Sequence, residues 1–244
     1  MFNFSFDKRI LYVIFGILIV SSLISMTSGS ILGLLLTLPG VLVAITFHEF
    51  AHAYAADKLG DDTPRIQGRL NLNPLSHIDP FGFFMLLFAH IGWGKPVQIN
   101  PRNFNRDISM DKGNAIVSFA GPLMNFLLAL VLSLVYCIIY KFAGHAFLVS
   151  TVGEVILTIV FYAIIVNVGL GVFNLIPLPP LDGSKILKNF LPYNAKYWFE
   201  KNEQIFYVIF IVIWITGIAS NIISPIIDWV TSGILTLALN IFGL

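Results

Sequence analysis

The sequence predicts an all-α polytopic membrane protein of about six transmembrane helices, with a small β-strand element in a long loop between the second and third. Three observations carry this. Hydrophobic residues make up 57% of the 244-residue chain and charged residues only 11%, against about 25% charged in an ordinary soluble domain. Mean hydropathy is +0.86. Apolar runs of about 20 residues, the length that crosses a bilayer as a helix, recur along the chain between short polar stretches. The net charge of +1, without any Lys/Arg-rich run, offers nothing to a nucleic-acid partner. Cys137 is the single cysteine, which excludes a disulfide framework and a Cys-based zinc site. It falls in an apolar run and reads as a buried, inert thiol.

The spans follow in order. Span 1 covers residues 9–27 behind Lys8 and Arg9. It is longer than the roughly 7–15-residue core of a secretory signal and a second apolar run follows at once, so it reads as a retained span. Span 2 covers 31–57, span 3 113–140 and span 4 152–175. Spans 5 and 6, at 204–222 and 225–243, are divided near Pro225, a residue suited to a helix start. The segment 81–93, "FGFFMLLFAHIGW", is too short to cross and suits a re-entrant or interfacial position. In the long loop, 65–74 and 95–101 alternate polar and apolar residues and read as short strands at the membrane surface. No internal repeat, low-complexity tract or inserted soluble domain is visible. Residues 1–244 read as one integral-membrane domain, with a core over about 31–190 and a C-terminal helix pair over 204–243.

Basic residues orient these spans. Of the fourteen Lys and Arg, thirteen fall before span 1, between spans 2 and 3, or between spans 4 and 5; Lys141 alone falls on the other side. The positive-inside rule puts the thirteen in the cytoplasm. With six spans, both termini are then cytoplasmic.

Span 2 closes on "HEFAH", residues 48–52. His48 and His52, spaced i, i+4, share one helix face. Two imidazoles so placed can bind one Zn²⁺, with Glu49 beside them able to act on metal-bound water. A polar helix end with capping histidines is the plainer reading, and position argues against it. Residue 48 is about 27 Å along a helix that starts near residue 30, just inside a hydrocarbon core of about 30 Å. An ionisable residue at that depth is costly and marks a functional site.

A catalytic zinc takes three protein ligands and keeps one position open. Span 4 ends in "NLIPLPPLDG", residues 174–183, where the prolines cannot continue a helix. Asp182 therefore lies at the cytoplasmic end of span 4, the face to which His48 and His52 also come. Spacing alone leaves two readings open, a metal ligand or a helix N-cap in a turn. His77, His90 and His145 are weaker candidates; His145 lies on the far side.

Three motifs in this order, "HEFAH", "AGPLMN" at 120–125 and "NLIPLPPLDG", resemble the site-2 protease family of intramembrane zinc metalloproteases, in particular its small prokaryotic members without an inserted peptide-binding domain. The resemblance runs from span 2 through residue 183. It implies one zinc per chain held by His48, His52 and Asp182, with Glu49 as catalytic acid/base. It implies that Asn174, eight positions before Asp182, handles substrate or the tetrahedral intermediate. Gly121 and Asn125 match the span 3 motif, and their residue types point to close helix packing and an interhelical hydrogen bond.

The expected activity is hydrolysis of a peptide bond in a single-span membrane protein or peptide, at the cytoplasmic side of a prokaryotic plasma membrane. The strand-like segments could hold an unwound substrate by strand addition. A competing reading is a transporter moving a metal through the same His/Glu/Asp cluster, but no pair of repeated broken helices supports it. A non-catalytic membrane chaperone or receptor leaves Glu49 without a task. Substrate identity and oligomeric state are not legible.

Overall fold

The computed structural model describes residues 28–83 and 93–244. Span 1, most of segment 81–93 and His90 lie outside the described residues. The chain forms α1 (Ser28–Lys58), α2 (Thr63–Ile66), α3 (Pro74–His77), a 3₁₀ turn (Pro101–Asn103), α4 (Met110–Phe142), α5 (His145–Leu148), α6 (Thr151–Asn174), α7 (Asp182–Phe190), α8 (Tyr193–Lys201), α9 (Glu203–Ile215) and α10 (Ile218–Phe242). Among the described residues, four helical stretches are long and apolar enough to cross a membrane: Ile31–Lys58, Met110–Phe142, Thr151–Asn174 and Asn221–Phe242.

Local chemistry starts these helices where the sequence turns apolar. Ser109 accepts the Lys112 N–H at 3.3 Å and Ser150 accepts the Gly153 N–H at 3.1 Å, each satisfying an otherwise orphaned donor. Helices α1, α4 and α6 pack on one another, and α10 closes on α4 and α6. Ala129, Ile164 and Val168 form a buried cluster against Ile227, Val230 and Ile234 of α10. Between helices in lipid, such contacts hold by close packing rather than by hydrophobic burial. Gly40 shows how close: a Cβ there would lie 2.6 Å from Ala163 Cα. Leu35, Leu127, Val131 and Trp229 are exposed on the outside of the bundle, where lipid would cover them.

The C-terminal region differs from the expected helix pair. The break falls at Gly217, φ +71°, a left-handed position that glycine adopts without strain, and Pro225 lies inside α10. Helix α9 has 13 residues, about 20 Å, short of a hydrocarbon core of about 30 Å. Its Phe210 ring packs 6.0 Å from Phe173 near the end of α6. At the far end of α10, the Lys141 ammonium donates to the Phe242 carbonyl. Helix α10 thus runs beside α4 in the same direction. Among the helices after residue 201, Asn221–Phe242 is long and apolar enough to cross a membrane and Glu203–Ile213 is a shorter apolar helix; Phe242 lies beside Lys141.

The expected strand pair is also absent among the described residues. Pro64 and Pro74 each open a short helical turn, and Gly68 between them has φ +67°. Residues 95–100 form no strand; the isolated bridge found among the described residues joins Ile78 to Gly94, just before them. Their donors go elsewhere: Lys95 N–H to His77 O at 2.7 Å, Val97 N–H to Glu49 Oε2 at 3.0 Å and Asn100 N–H to Asp61 Oδ2 at 2.6 Å.

Asp61 anchors this loop. It is fully buried and also accepts the Thr63 N–H at 3.1 Å, the Thr63 hydroxyl at 2.5 Å and the Asn103 amide at 2.9 Å. Burial works against its ionisation, but the hydrogen bonds from Thr63, Asn100 and Asn103 outweigh burial and hold the carboxyl below the usual range. The stabilisation is therefore fully present above the unfolded value of about 4 and is lost as pH falls through the lower folded value. Asp61→Ala is expected to destabilise the protein by about 2 kcal/mol at pH 7. Thermal melting in detergent should show the gap from wild type narrowing as pH drops below about 4.

Candidate metal centre

Helix α1 carries His48 and His52 one turn apart on the same face, their ring centroids 4.6 Å from each other. Asp182 arrives from the other side. After α6, the chain turns through Pro177, Pro179 and Pro180 and restarts as α7, with Leu181 at the N-cap and no side-chain cap bond. Asp182 is thus not a cap. Its Oδ2 lies 3.3 Å from His48 Nε2 and 3.0 Å from His52 Nε2, and the two Nε2 atoms are 3.0 Å apart. Among the described residues, these three form a group able to hold a metal ion. All three are buried, at 6%, 8% and 7% exposure for His48, His52 and Asp182.

The donor set fits zinc. Donors at about 2.0–2.1 Å in a tetrahedron lie about 3.3–3.4 Å from one another, close to the spacing found. The remaining ring nitrogens are held from behind. His52 Nδ1 meets the Val117 carbonyl at 2.7 Å, an oxygen that can only accept, so the lone pair of Nε2 points inward. His48 Nδ1 meets Asn125 Oδ1 at 2.6 Å. Such backing orients metal-binding imidazoles. Space for the group comes from Gly121: a Cβ there would sit 2.5 Å from His52 Nε2 and 2.7 Å from His48 Cε1. Gly183 serves the approach of Asp182, since a Cβ would meet the Leu175 carbonyl at 2.3 Å.

Lys185 Nζ stands 3.3 Å from Asp182 Oδ1, leaving Oδ2 for the histidines.

Glu49 is half-buried on α1 beside the three ligand candidates, and the loop reaches it through the Val97 N–H. That loop is tied down by Arg69, which is 5% exposed and whose guanidinium donates to the Ser76 and Lys95 carbonyls. His77 is fully buried and bonds Asn71 O at 2.7 Å; burial pushes its pKa down. It organises the loop and is not among the metal group. His145 is exposed at the start of α5. Asn174 ends α6, and its amide donates to Leu170 O at 3.0 Å within the same helix. The structure does not bring it into the metal group. Arg69, Asp61 and Asn167 carried no motif in the sequence, and only their lone polarity in apolar or tightly turned surroundings marked them.

The chain matches the family model for peptidase family M50 over residues 36–217. It is 35% identical to YwhC of Bacillus subtilis over 204 residues, covering 83% of this chain and 90% of that protein. It is 29% identical to Rip2 of Mycolicibacterium smegmatis over 198 residues, covering 80% and 72% of the two chains. It is 26% identical to MJ0611 of Methanocaldococcus jannaschii over 191 residues, covering 77% and 87%. Each of these relatives carries the name "putative zinc metalloprotease". No solved structure matches the chain.

Gly121→Ala is expected to expel the metal without unfolding the bundle. Elemental analysis should find zinc far below one per chain, while circular dichroism keeps the helical signal of wild type.

Proposed function

The chain belongs to peptidase family M50 and is a zinc metalloprotease; on that premise we propose that it holds one zinc through His48 Nε2, His52 Nε2 and Asp182 Oδ2 and cuts membrane-spanning substrates with Glu49 as acid/base. The observation that carries this reading is the convergence of those three atoms within 3.0–3.3 Å of one another beside Glu49. The zinc ion supplies Lewis acidity, lowering the pKa of water and polarising a peptide carbonyl. Glu49 takes the proton of the attacking water and delivers it to the leaving amine. Asn174 serves as a donor to the developing oxyanion after releasing Leu170 O, to which its amide is bonded. Val97 N–H, on Glu49 Oε2, holds the carboxylate in place. The transporter reading finds no support: the metal group found among the described residues sits where α1 and α6 end, and no second such group is found among those residues.

The working unit is the whole membrane domain, with the catalytic core over about 31–190. Four membrane-competent helices support an integral membrane protein, and the distribution of Lys and Arg favours a cytoplasmic position for the Asp182 end of the bundle. The substrate is a single-span membrane protein or peptide cut near that side. A crossing before residue 28 would put the N-terminus on the cytoplasmic side as well.

The test compares wild type, Glu49→Gln and Asp182→Ala in detergent or liposomes against a panel of single-span substrates. Wild type and Glu49→Gln are expected to hold about one zinc per chain, while Asp182→Ala holds much less. Wild type alone should cleave, with Glu49→Gln reduced by at least about 10²-fold. Folded wild-type protein without zinc sinks the ligand assignment; cleavage by Glu49→Gln at the wild-type rate sinks the role of Glu49.

A further inference from the structure

We propose that Asn167 is a positioning residue for the metal centre: through Asn125 it sets the ring tautomer in which His48 meets the metal. This rests on His48 being a ligand. Asn125 on α4 and Asn167 on α6 are both 0% exposed, inside spanning helices where no water competes for their hydrogen bonds. A side-chain amide has a donor end and an acceptor end, so its orientation decides what it offers a neighbour. Asn167 Nδ2 donates to the Ala163 carbonyl at 2.8 Å, an oxygen that can only accept. Asn167 Oδ1 therefore faces α4, where it takes the Asn125 Nδ2 at 3.0 Å. The same Nδ2 donates to the Ala44 carbonyl at 3.1 Å. Two acceptors thus hold the nitrogen of Asn125, and its Oδ1 is left facing His48 Nδ1 at 2.6 Å.

A carbonyl oxygen at that distance admits only an N–H. His48 accordingly carries its proton on Nδ1 and turns the Nε2 lone pair toward Asp182 and His52. Reversing Asn125 alone would press its oxygen against two others, Ala44 O and Asn167 Oδ1. It would also offer His48 Nδ1 a donor, which drives the ring proton to Nε2 and blocks the metal. Reversing both amides would press Asn167 Oδ1 against Ala163 O. Asn167 is one of the two acceptors that exclude the reversed amide. Ala44 lies one helical turn before His48, so Asn125 also clamps the turn that carries the ligand. His52 has no such relay because the Val117 main-chain carbonyl performs the same task directly.

The experiment uses the full-length chain in detergent. Spectra of [¹⁵N]histidine in zinc-stripped protein read the tautomer, and competition with a chelator reads zinc affinity. Wild type should show His48 as the Nδ1–H form. In Asn167→Leu the Nε2–H form should appear and zinc affinity should fall about five-fold, the worth of one net hydrogen bond. Asn125→Leu should lose about 10–100-fold, as other outer partners of metal-bound histidines do. Asn167→Asp, whose protonated carboxyl can donate to Ala163 and accept from Asn125, should stay near wild type, while the Nε2–H form in Asn167→Leu is the outcome that simple packing at this site does not give. Asn167→Ala repeats the test without added bulk.

His48 as Nε2–H in wild type overturns the proposal. So does wild-type zinc affinity in a folded Asn167→Leu or Asn167→Ala, or a loss in Asn167→Asp equal to that in Asn167→Leu. Wild type that binds zinc and cleaves, with Asn167 variants unaltered, removes the relay and leaves the ligand assignment standing. Wild type without zinc removes the assignment itself.

Discussion

Two imidazoles and a carboxylate sit buried at the end of an apolar helix bundle, and every polar face of them must be partnered. The rest of the structure depends on this constraint. A buried polar group without a partner costs several kcal/mol in surroundings that offer no water. The atoms that converge on one point are only half of each of these three side chains. The other half is met by Asn125 for His48, by the Val117 carbonyl for His52 and by Lys185 for Asp182. Two segments, α4 and the start of α7, must therefore approach α1 closely enough for hydrogen bonding, and side-chain bulk at the contact points would prevent it. Gly121 admits the two imidazole rings, Gly183 admits the turn that presents Asp182, and Gly40 lets α6 lie against α1. The small residues of the motifs are best understood as the clearance that the ligands require.

That His48, His52 and Asp182 could come together was legible in the sequence for a simple reason. His48 and His52 are related by helical periodicity alone, and the prolines after Asn174 force the chain to leave its helix before Asp182. Local rules suffice in both cases. Spacing could not choose between ligand and N-cap for Asp182; the fold puts Leu181 at the cap and frees the carboxylate. The outer partners were less legible because they depend on which helix neighbours which. Asn125 lies 77 positions from His48, and Asn167 touches the centre only through Asn125. Polarity in an apolar run showed that each needed a partner, without showing which.

The misread elements share a different cause. The alternation in 95–101 predicts a strand, yet its amide groups are used by Glu49, Asp61 and His77 rather than by a neighbouring strand. A two-residue period records that alternate side chains meet different surroundings and does not identify what accepts the backbone hydrogens. Pro225 was taken for a helix start because proline lacks an N–H, but a proline inside a membrane helix is tolerated when neighbouring helices surround it. Gly217, in a left-handed conformation, supplies the actual break. That shift shortens α9 to 13 residues, below the thickness of a bilayer.

Position along the bundle reconciles two opposed demands. Hydrolysis needs water and a polar substrate backbone, whereas the amide and imidazole partners of the ligands work best where water is excluded. A centre halfway along the helices would satisfy the second demand and fail the first. Here the ligands lie in the last turns of α1 and just beyond the end of α6, while the Asn125–Asn167 pair lies deeper, within α4 and α6. The proline run after Asn174 is what permits this. Had α6 continued as a helix, Asp182 would lie about 12 Å further along its axis, out in the aqueous phase and away from both histidines. By ending the helix and folding back, the chain returns a carboxylate to the membrane boundary with its N-terminal helix turn free of a cap bond. The loop anchored by Asp61 and Arg69 then covers the outer side and reaches Glu49 through a main-chain N–H. Dry support below and a polar cover above are both consequences of where two helices stop.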